Sequence, residues 1–353
     1  MAVQSPEAPR SRVPWVDFAK GICIFLVVML HTTHFVEEDR WDFHSWLSTV
    51  VEFARPFRMP DFFLIAGLFL SRVIDRPWRR YLDTKVVHFY YFYFLWFPII
   101  FLFMAVRISA MNDWHGAEDL VWLFFWNFFD PIYPLWFIHS LPIYFVVCKL
   151  VRRVPWWIVL TIAAALEIAD IHTRFIVPDQ FAMRFVYFYS GYIFAPQIFR
   201  IAGWALDRRW GAVLYLAVWG VMEQSFVAAG WSQLPGVSLF LGYTGALAVI
   251  FIACLLCRFP WMDWLRYLGQ HSIVVYLGFM IPMVGFNWIF RHHIGDTGTA
   301  ALLVTLCAVG GTILMYRAAD RTFLRCLYKR PAWARIQPEP SGVYPRAPAA
   351  NES

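Results

Sequence analysis

The stretch Trp15 to Phe35, WVDFAKGICIFLVVMLHTTHF, decides the fold class. Its 21 residues rise about 31 Å as an α-helix, which is the thickness of a bilayer's hydrocarbon core. It also carries four ionisable side chains, Asp17, Lys20, His31 and His34, and such groups are costly inside a span, so each needs a reason. The run is too long, and too polar at both ends, for a cleaved signal peptide. One segment is thus both the clearest span and the first candidate site.

The rest of the chain agrees with it. Of 353 residues, 60% are hydrophobic and only 15% charged, against roughly 45–50% and about 25% in soluble domains. Aromatic residues reach 20%, with 35 Phe, 19 Trp and 16 Tyr, which suits lipid-facing helices anchored by rings at both interfaces. Apolar runs fall near 15–35, 50–71, 86–106, 134–151, 155–172, 181–200, 211–231, 236–257, 272–290 and 298–318. The expectation is an all-α, polytopic membrane protein of about ten transmembrane helices, in a lipid bilayer. Residues 50–71 read as a span broken by Pro56 and Pro60, and 119–129 is too short to cross and reads as interfacial. Residues 1–14 read as a disordered cytoplasmic tail, 15–318 as the transmembrane domain, and 319–353 as a cytoplasmic, largely disordered tail.

The net charge of +6 would suggest nucleic acid in a soluble protein. Here the cations alternate with the spans. Arg72, Arg76, Arg79, Arg80 and Lys85 follow the second, Lys149, Arg152 and Arg153 the fourth, and Arg317, Arg321, Arg325, Lys329 and Arg330 the last. The opposite loops hold acids such as Glu37, Glu38, Asp39 and Asp42, then Asp113, Glu118, Asp119 and Asp130. This places both termini in the cytoplasm and leaves no excess charge for a nucleic acid. All six cysteines lie in or beside apolar segments and read as small buried hydrophobes, with no disulfide and no metal site, the Cys254–Cys257 CxxC included.

Lys20 and His31 are eleven residues apart, about 16 Å of rise and about three turns plus 20° on a helix, so they share a face near opposite ends of the span. Asp17 can pair with Lys20, and both can also simply snorkel to the interface. His31 can act as a base near neutral pH or be a hydrogen-bonded interior histidine. Arg55, Arg58 and Asp61 lie near the level of His31 if the second span runs inward. There a carboxylate orienting an imidazole beside guanidiniums would make an acceptor site, with His34 at its rim, while an Arg–Asp tether within the helix is the competing reading. The basic loop at Arg76, Arg79 and Arg80 can hold an anionic ligand such as a nucleotide phosphate, or only mark topology. His88, His139, Glu167, Arg184, Glu223 and His271 are further interior candidates, for which helix-to-helix hydrogen bonding competes.

Asp17-Phe-Ala-Lys-Gly-Ile-Cys-Ile-Phe-Leu-Val-Val-Met-Leu-His31 resembles the first helix of the membrane acyltransferase 3 family, in which a basic residue, usually Arg followed by Gly, precedes a key His by eleven positions. Asp61-Phe-Phe-Leu-Ile-Ala-Gly67 resembles its FFxxSGF stretch, Arg76-Pro-Trp-Arg79 its RxxR motif and Leu135-Trp-Phe137 its LWFL element. Tyr267-Leu-Gly-Gln-His-Ser272 with Tyr276-Leu277 resembles YLGxxS…YL. The resemblance covers roughly 15–318. It implies an inner-membrane enzyme that moves an acyl group, acetyl or succinyl, from cytoplasmic acyl-CoA to a glycan hydroxyl. The acyl-CoA (acetyl-CoA or succinyl-CoA) is then a co-substrate, and no cofactor is permanently bound. His31 would be the catalytic histidine with Asp61 orienting it. Lys20 would stand in for the family's Arg, and with Arg76, Arg79 and Arg80 would bind the donor; Arg55, Arg58 and His34 would meet the acceptor. Three positions depart from the pattern. Lys20 cannot give the planar contact of Arg, Ala66 replaces the usual Ser, and Phe279 stands where many members have a second His.

Two other readings use the same residues. A multi-pass transporter or exporter would line a polar or proton pathway with these charges, although the absence of an internal repeat disfavours inverted-repeat folds. A non-catalytic membrane partner would use them to join helices. Neither the glycan, the hydroxyl position, the acyl group nor the oligomeric state is legible in the sequence.

Overall fold

The computed structural model describes residues 13–110, 117–131 and 134–336. Arg10 and Arg12, the acidic Asp113 and the ends at 1–12 and 337–353 lie outside the described residues. Everything described is helix or connection. The helices are α1 (Pro14–Arg40), α2 (Trp46–Gly67), α3 (Trp78–Leu82), α4 (His88–Ala110), α5 (Ala117–Phe129), α6 (Leu135–Leu150), α7 (Trp156–Ile168), α8 (Ile176–Ile193), α9 (Ala195–Asp207), α10 (Arg209–Ala228), α11 (Val237–Leu256), α12 (Asp263–Gln270), α13 (Ser272–Gly278), α14 (Met280–Phe290) and α15 (Thr297–Ala319).

Six of the described helical segments are long and apolar enough to cross a membrane, and seven if α13 and α14, bent by 58° at Phe279, form one span. This is consistent with a polytopic membrane protein, and it is fewer than the expected ten. α2 and α8 occupy expected positions but carry charges, Arg55, Arg58 and Asp61 on one and Asp179 and Arg184 on the other. α7 has 13 residues, a length of about 20 Å that falls short of a bilayer core. α2 also runs through Pro56 and Pro60 without interruption, both rings being buried, where the sequence predicts a broken span. Tight packing on α8 and α11 holds the helix where proline chemistry alone would break it.

α1 is the central helix, against α2, α11, α12, α13 and α15. Its closest neighbour is α12. A Cβ on Gly21 would stand 2.1 Å from the Leu265 carbonyl oxygen, and one on Gly269 only 1.7 Å from that of Asp17. α2 and α8 cross as closely, through Gly67 against the Phe188 carbonyl and Gly191 against that of Leu64. Small residues let such backbones meet where lipid offers no hydrophobic drive.

At the end of the bundle where α1 begins, Lys149 Nζ donates to the carbonyls of Ile74 and Arg76 (2.5 and 2.7 Å), closing the turn after α2. At the opposite end Asp296 caps α15, accepting from the Thr299 amide (2.6 Å) and the Trp46 indole (3.1 Å); these bonds hold its carboxyl below the ordinary range. α5 packs Phe124 and Phe128 on Phe97 of α4 (5.1 and 5.4 Å between rings) and exposes Trp122, Phe125 and Phe129. That is the one-sided helix expected of an interfacial segment.

Residues 320–336 differ from the expected disordered tail. They fold back on α4 and the turn before it: Trp96 Nε1 donates to the Leu327 carbonyl (2.8 Å) and Tyr91 to that of Cys326 (3.0 Å). Arg330 pairs with Asp83 at 3.1 Å, both side chains under a tenth exposed, and Asp83 also accepts the Ile336 amide (2.9 Å). A buried acid inside a turn and a cation 247 residues later make this an ordered clamp; local composition shows only a polar stretch after a span.

Candidate active site

Two cavities follow one another along α1. The larger, about 550 Å³, opens at the end where α1 begins and is lined by Asp17, Lys20, Arg72, Lys85, His88 and Gln270, with Val16, Phe69 and Ile273 among the apolar walls. The smaller, about 90 Å³, is lined by Val27, His31, Met59, Phe62, Trp136, Phe137 and Tyr276. Both draw on α1 and α13, and Met59 and Phe62 of α2 line the smaller one while Phe69, just past the end of α2, lines the larger, so the two lie in series along one seam of the bundle. Helical rise puts about 16 Å between Lys20 and His31 along it.

Four of the five quoted motifs converge on this seam. Gln270, the last residue of α12, donates to Asp17 at 3.0 Å and so ties the YLGQHS segment to the first helix. Phe62 and Phe63 meet Phe137 at ring distances of 4.6 and 4.9 Å, and Phe137 meets Tyr276 at 5.5 Å. Three segments distant in sequence thereby enclose His31. Its imidazole makes no hydrogen bond among the described residues. One face packs on Phe279 (5.5 Å), while the ring reaches the cavity. A neutral imidazole so placed can accept a hydroxyl proton.

Not every expected residue arrives. Asp61 does not bond His31: it is buried, neither carboxylate oxygen has a partner among the described residues, and the groups in its electrostatic reach are Glu223 and Cys23. It lies three residues after Arg58 without pairing to it, so the internal tether does not form. Arg55 is exposed in an ion pair with Glu52 (3.3 Å), and His34 is exposed one turn beyond His31. Arg58 is buried and within electrostatic reach of His31.

Lys20 lines the larger cavity, but Arg76, Arg79 and Arg80 do not. Arg76 gives its carbonyl to Lys149, and Arg79 and Arg80 are exposed on α3. The cavity takes its remaining cations from Arg72 and Lys85 on either side of that motif. In sequence these two belong to the topological charge set. Lys85 is turned inward by a wide π-turn over Asp83–Val87, a feature that recurs at functional sites and has no local sequence signature. His88 also lines this cavity. Of the remaining interior candidates, His271 donates through Nδ1 to the Tyr267 carbonyl (2.9 Å), and Glu167 accepts from Ser238 (2.8 Å).

A family model described as an acyltransferase domain matches residues 13–317. Among curated proteins, the inner membrane protein YcfT of Escherichia coli (strain K12) is 28% identical over 156 residues, 39% of this chain and 44% of that protein. The match thus spans less than half of that relative. No solved structure matches the chain.

Proposed function

The chain belongs to the acyltransferase 3 family, and on that premise we propose that it is an inner-membrane O-acyltransferase moving an acetyl or succinyl group from cytoplasmic acyl-CoA to a hydroxyl of a cell-envelope or periplasmic glycan. The observation that carries this reading is the pair of cavities in series, a basic one at Lys20 and an apolar one at His31. Lys20, Arg72 and Lys85 are suited to the phosphates of the donor, since a cluster of cations at a cavity mouth favours anions. The seam between the cavities is close to the length of a pantetheine arm, which would bring the thioester towards His31.

In the reaction the acceptor oxygen bonds to the thioester carbonyl carbon and the carbon–sulfur bond breaks. His31 takes the hydroxyl proton, because a neutral alcohol is a weak nucleophile without a base. The departing sulfur takes up a proton to leave as the thiol.

The test is mass analysis of envelope glycans from a deletion strain carrying the native gene or His31→Ala, with release of free CoA from acyl-CoA by the purified protein. Acylation lost in the deletion strain and restored only by the native gene is expected. Unchanged glycans in the deletion strain, or full restoration by the alanine variant, would sink the reading. Solute movement in vesicles with no thioester consumed would favour a transporter.

A further inference from the structure

Arg58 of α2 and Arg184 of α8 lie within electrostatic reach of each other. α2 and α8 run in the same direction and cross where Gly67 and Gly191 meet the opposite backbones. Arg184 stands seven residues before Gly191, hence two turns back on the face of α8 that meets α2. Arg58 lies at a matching level, seven residues before Ile65. Arg58 is also in reach of His31.

Neither guanidinium has its hydrogen bonds completed among the described residues. Arg58 is 6% exposed; among the described residues its one hydrogen bond is a long one, Nη1 to the Val51 carbonyl at 3.4 Å, and its Nε has no partner. Arg184 has a buried Nε, also without a partner. Of the nearby carboxylates, Glu52 pairs with exposed Arg55, and Glu167, in electrostatic reach of Arg184, accepts from Ser238 and Tyr187 through Oε1 while its Oε2 is buried without a partner among the described residues. One turn before Arg184, the side-chain oxygen of Gln180 is buried and unpartnered as well. Guanidinium cannot shed its charge, and two like charges near each other, one of them buried with incomplete hydrogen bonding, are stabilised when an anion joins them.

We infer that Arg58 and Arg184 bind a carboxylate or phosphate group beside His31, so that the preferred acceptor is an acidic sugar unit rather than a neutral one. This rests on the acyltransferase reading for its purpose, though the anion site itself does not. The planar forks suit bidentate contact with such groups, and an anchored anion would hold the neighbouring hydroxyl towards the imidazole. A carboxylate at the end of a succinyl chain offers the same chemistry from the donor side.

The experiment uses the full-length protein in detergent. Binding of methyl glucuronide, glucose 6-phosphate and methyl glucoside is followed by thermal shift, and turnover of succinyl-CoA is compared with that of acetyl-CoA. The acidic sugars should bind about tenfold more tightly than the neutral one, the worth of a charge-assisted contact. Arg58→Gln and Arg184→Gln should each erase that preference, Arg58→Lys and Arg184→Lys should keep part of it, and His31→Ala should leave it intact. A preference for succinyl-CoA that the same glutamine variants remove would support the site and assign the anion to the acyl chain. Equal binding of acidic and neutral sugars with no succinyl preference, or a preference untouched in both glutamine variants, would overturn the inference while leaving acyl transfer standing. Acidic sugars bound with no thioester ever consumed would retain the site and defeat the enzymatic reading.

Discussion

The ring of Phe279 packs on that of His31 with centroids 5.5 Å apart, and it does so at the bend between α13 and α14. Phe279 is fully buried, so it fixes one face of the imidazole while the cavity meets the rest. Phe279→Ala removes that wall and opens a void, which in protein cores costs about 3–5 kcal/mol. The expected result is a clear fall in melting temperature together with a drop in kcat, as the imidazole loses its fixed orientation. Phe279→His, nearer in shape, should keep more of both. A kcat unchanged in Phe279→Ala would mean that the contact does not position His31.

The donor end makes a separate claim. Arg72 and Lys85 line the basic cavity, while Arg79 and Arg80 are exposed outside it. Arg72→Ala and Lys85→Ala should each raise the KM for acyl-CoA about tenfold, the worth of one charge-assisted phosphate contact. Arg79→Ala and Arg80→Ala should change it less than about twofold, since their side chains lie outside the cavity and charges that far into solvent are screened. Steady-state kinetics of CoA release decide between the two sets, and the reverse ranking would move the donor to the exposed motif.

The close helix crossings predict which glycines tolerate a methyl group. Gly269→Ala would force a Cβ to 1.7 Å from the Asp17 carbonyl oxygen, and Gly21→Ala to 2.1 Å from that of Leu265. Backbone cannot yield as a side chain can, so both variants should separate α1 from α12, with poor yield or early melting in detergent. Gly285→Ala meets open space and should melt as the native protein does.

The folded-back segment at 320–336 predicts a coupling. Asp83→Ala leaves Arg330 buried without its partner, and breaking a buried pair in this way costs about 3–5 kcal/mol. The expected outcome is release of the segment, read as new protease cleavage after Arg325 or Lys329, and a lower melting temperature. Asp83→Ala with Arg330→Ala should recover part of the loss, because no uncompensated charge then remains. Equal damage in the single and double variants would show that the ion pair itself contributes little.

How much of this was legible beforehand differs by element. The positions of the apolar runs place most of the long helices to within a few residues, but 181–200 straddles the break between α8 and α9, and the short α3 and α12 have no run of their own. Whether a run crosses is less legible. α7 stops at Ile168 and α13 bends at Phe279, and both outcomes depend on neighbours that periodicity does not see. The first helix displays Lys20 and His31 on one face through its spacing alone. Asp61 has suitable chemistry at a suitable level, yet faces Glu223, since a helix rotated by packing on α8 and α11 points its side chains where those neighbours allow.

By itself, then, the sequence determined the solvent this chain is built for, the order of its helices, and the motifs that mark its family, all of them properties of local composition and spacing. Only the tertiary structure decided that Arg72 and Lys85 rather than Arg79 and Arg80 line the basic cavity, that the C-terminal segment clamps onto Asp83, and that Arg58 and Arg184 stand near each other with unpartnered Nε atoms. Those facts depend on which helix faces meet, and residues 126 positions apart become neighbours only when two helices close on a shared pair of glycines.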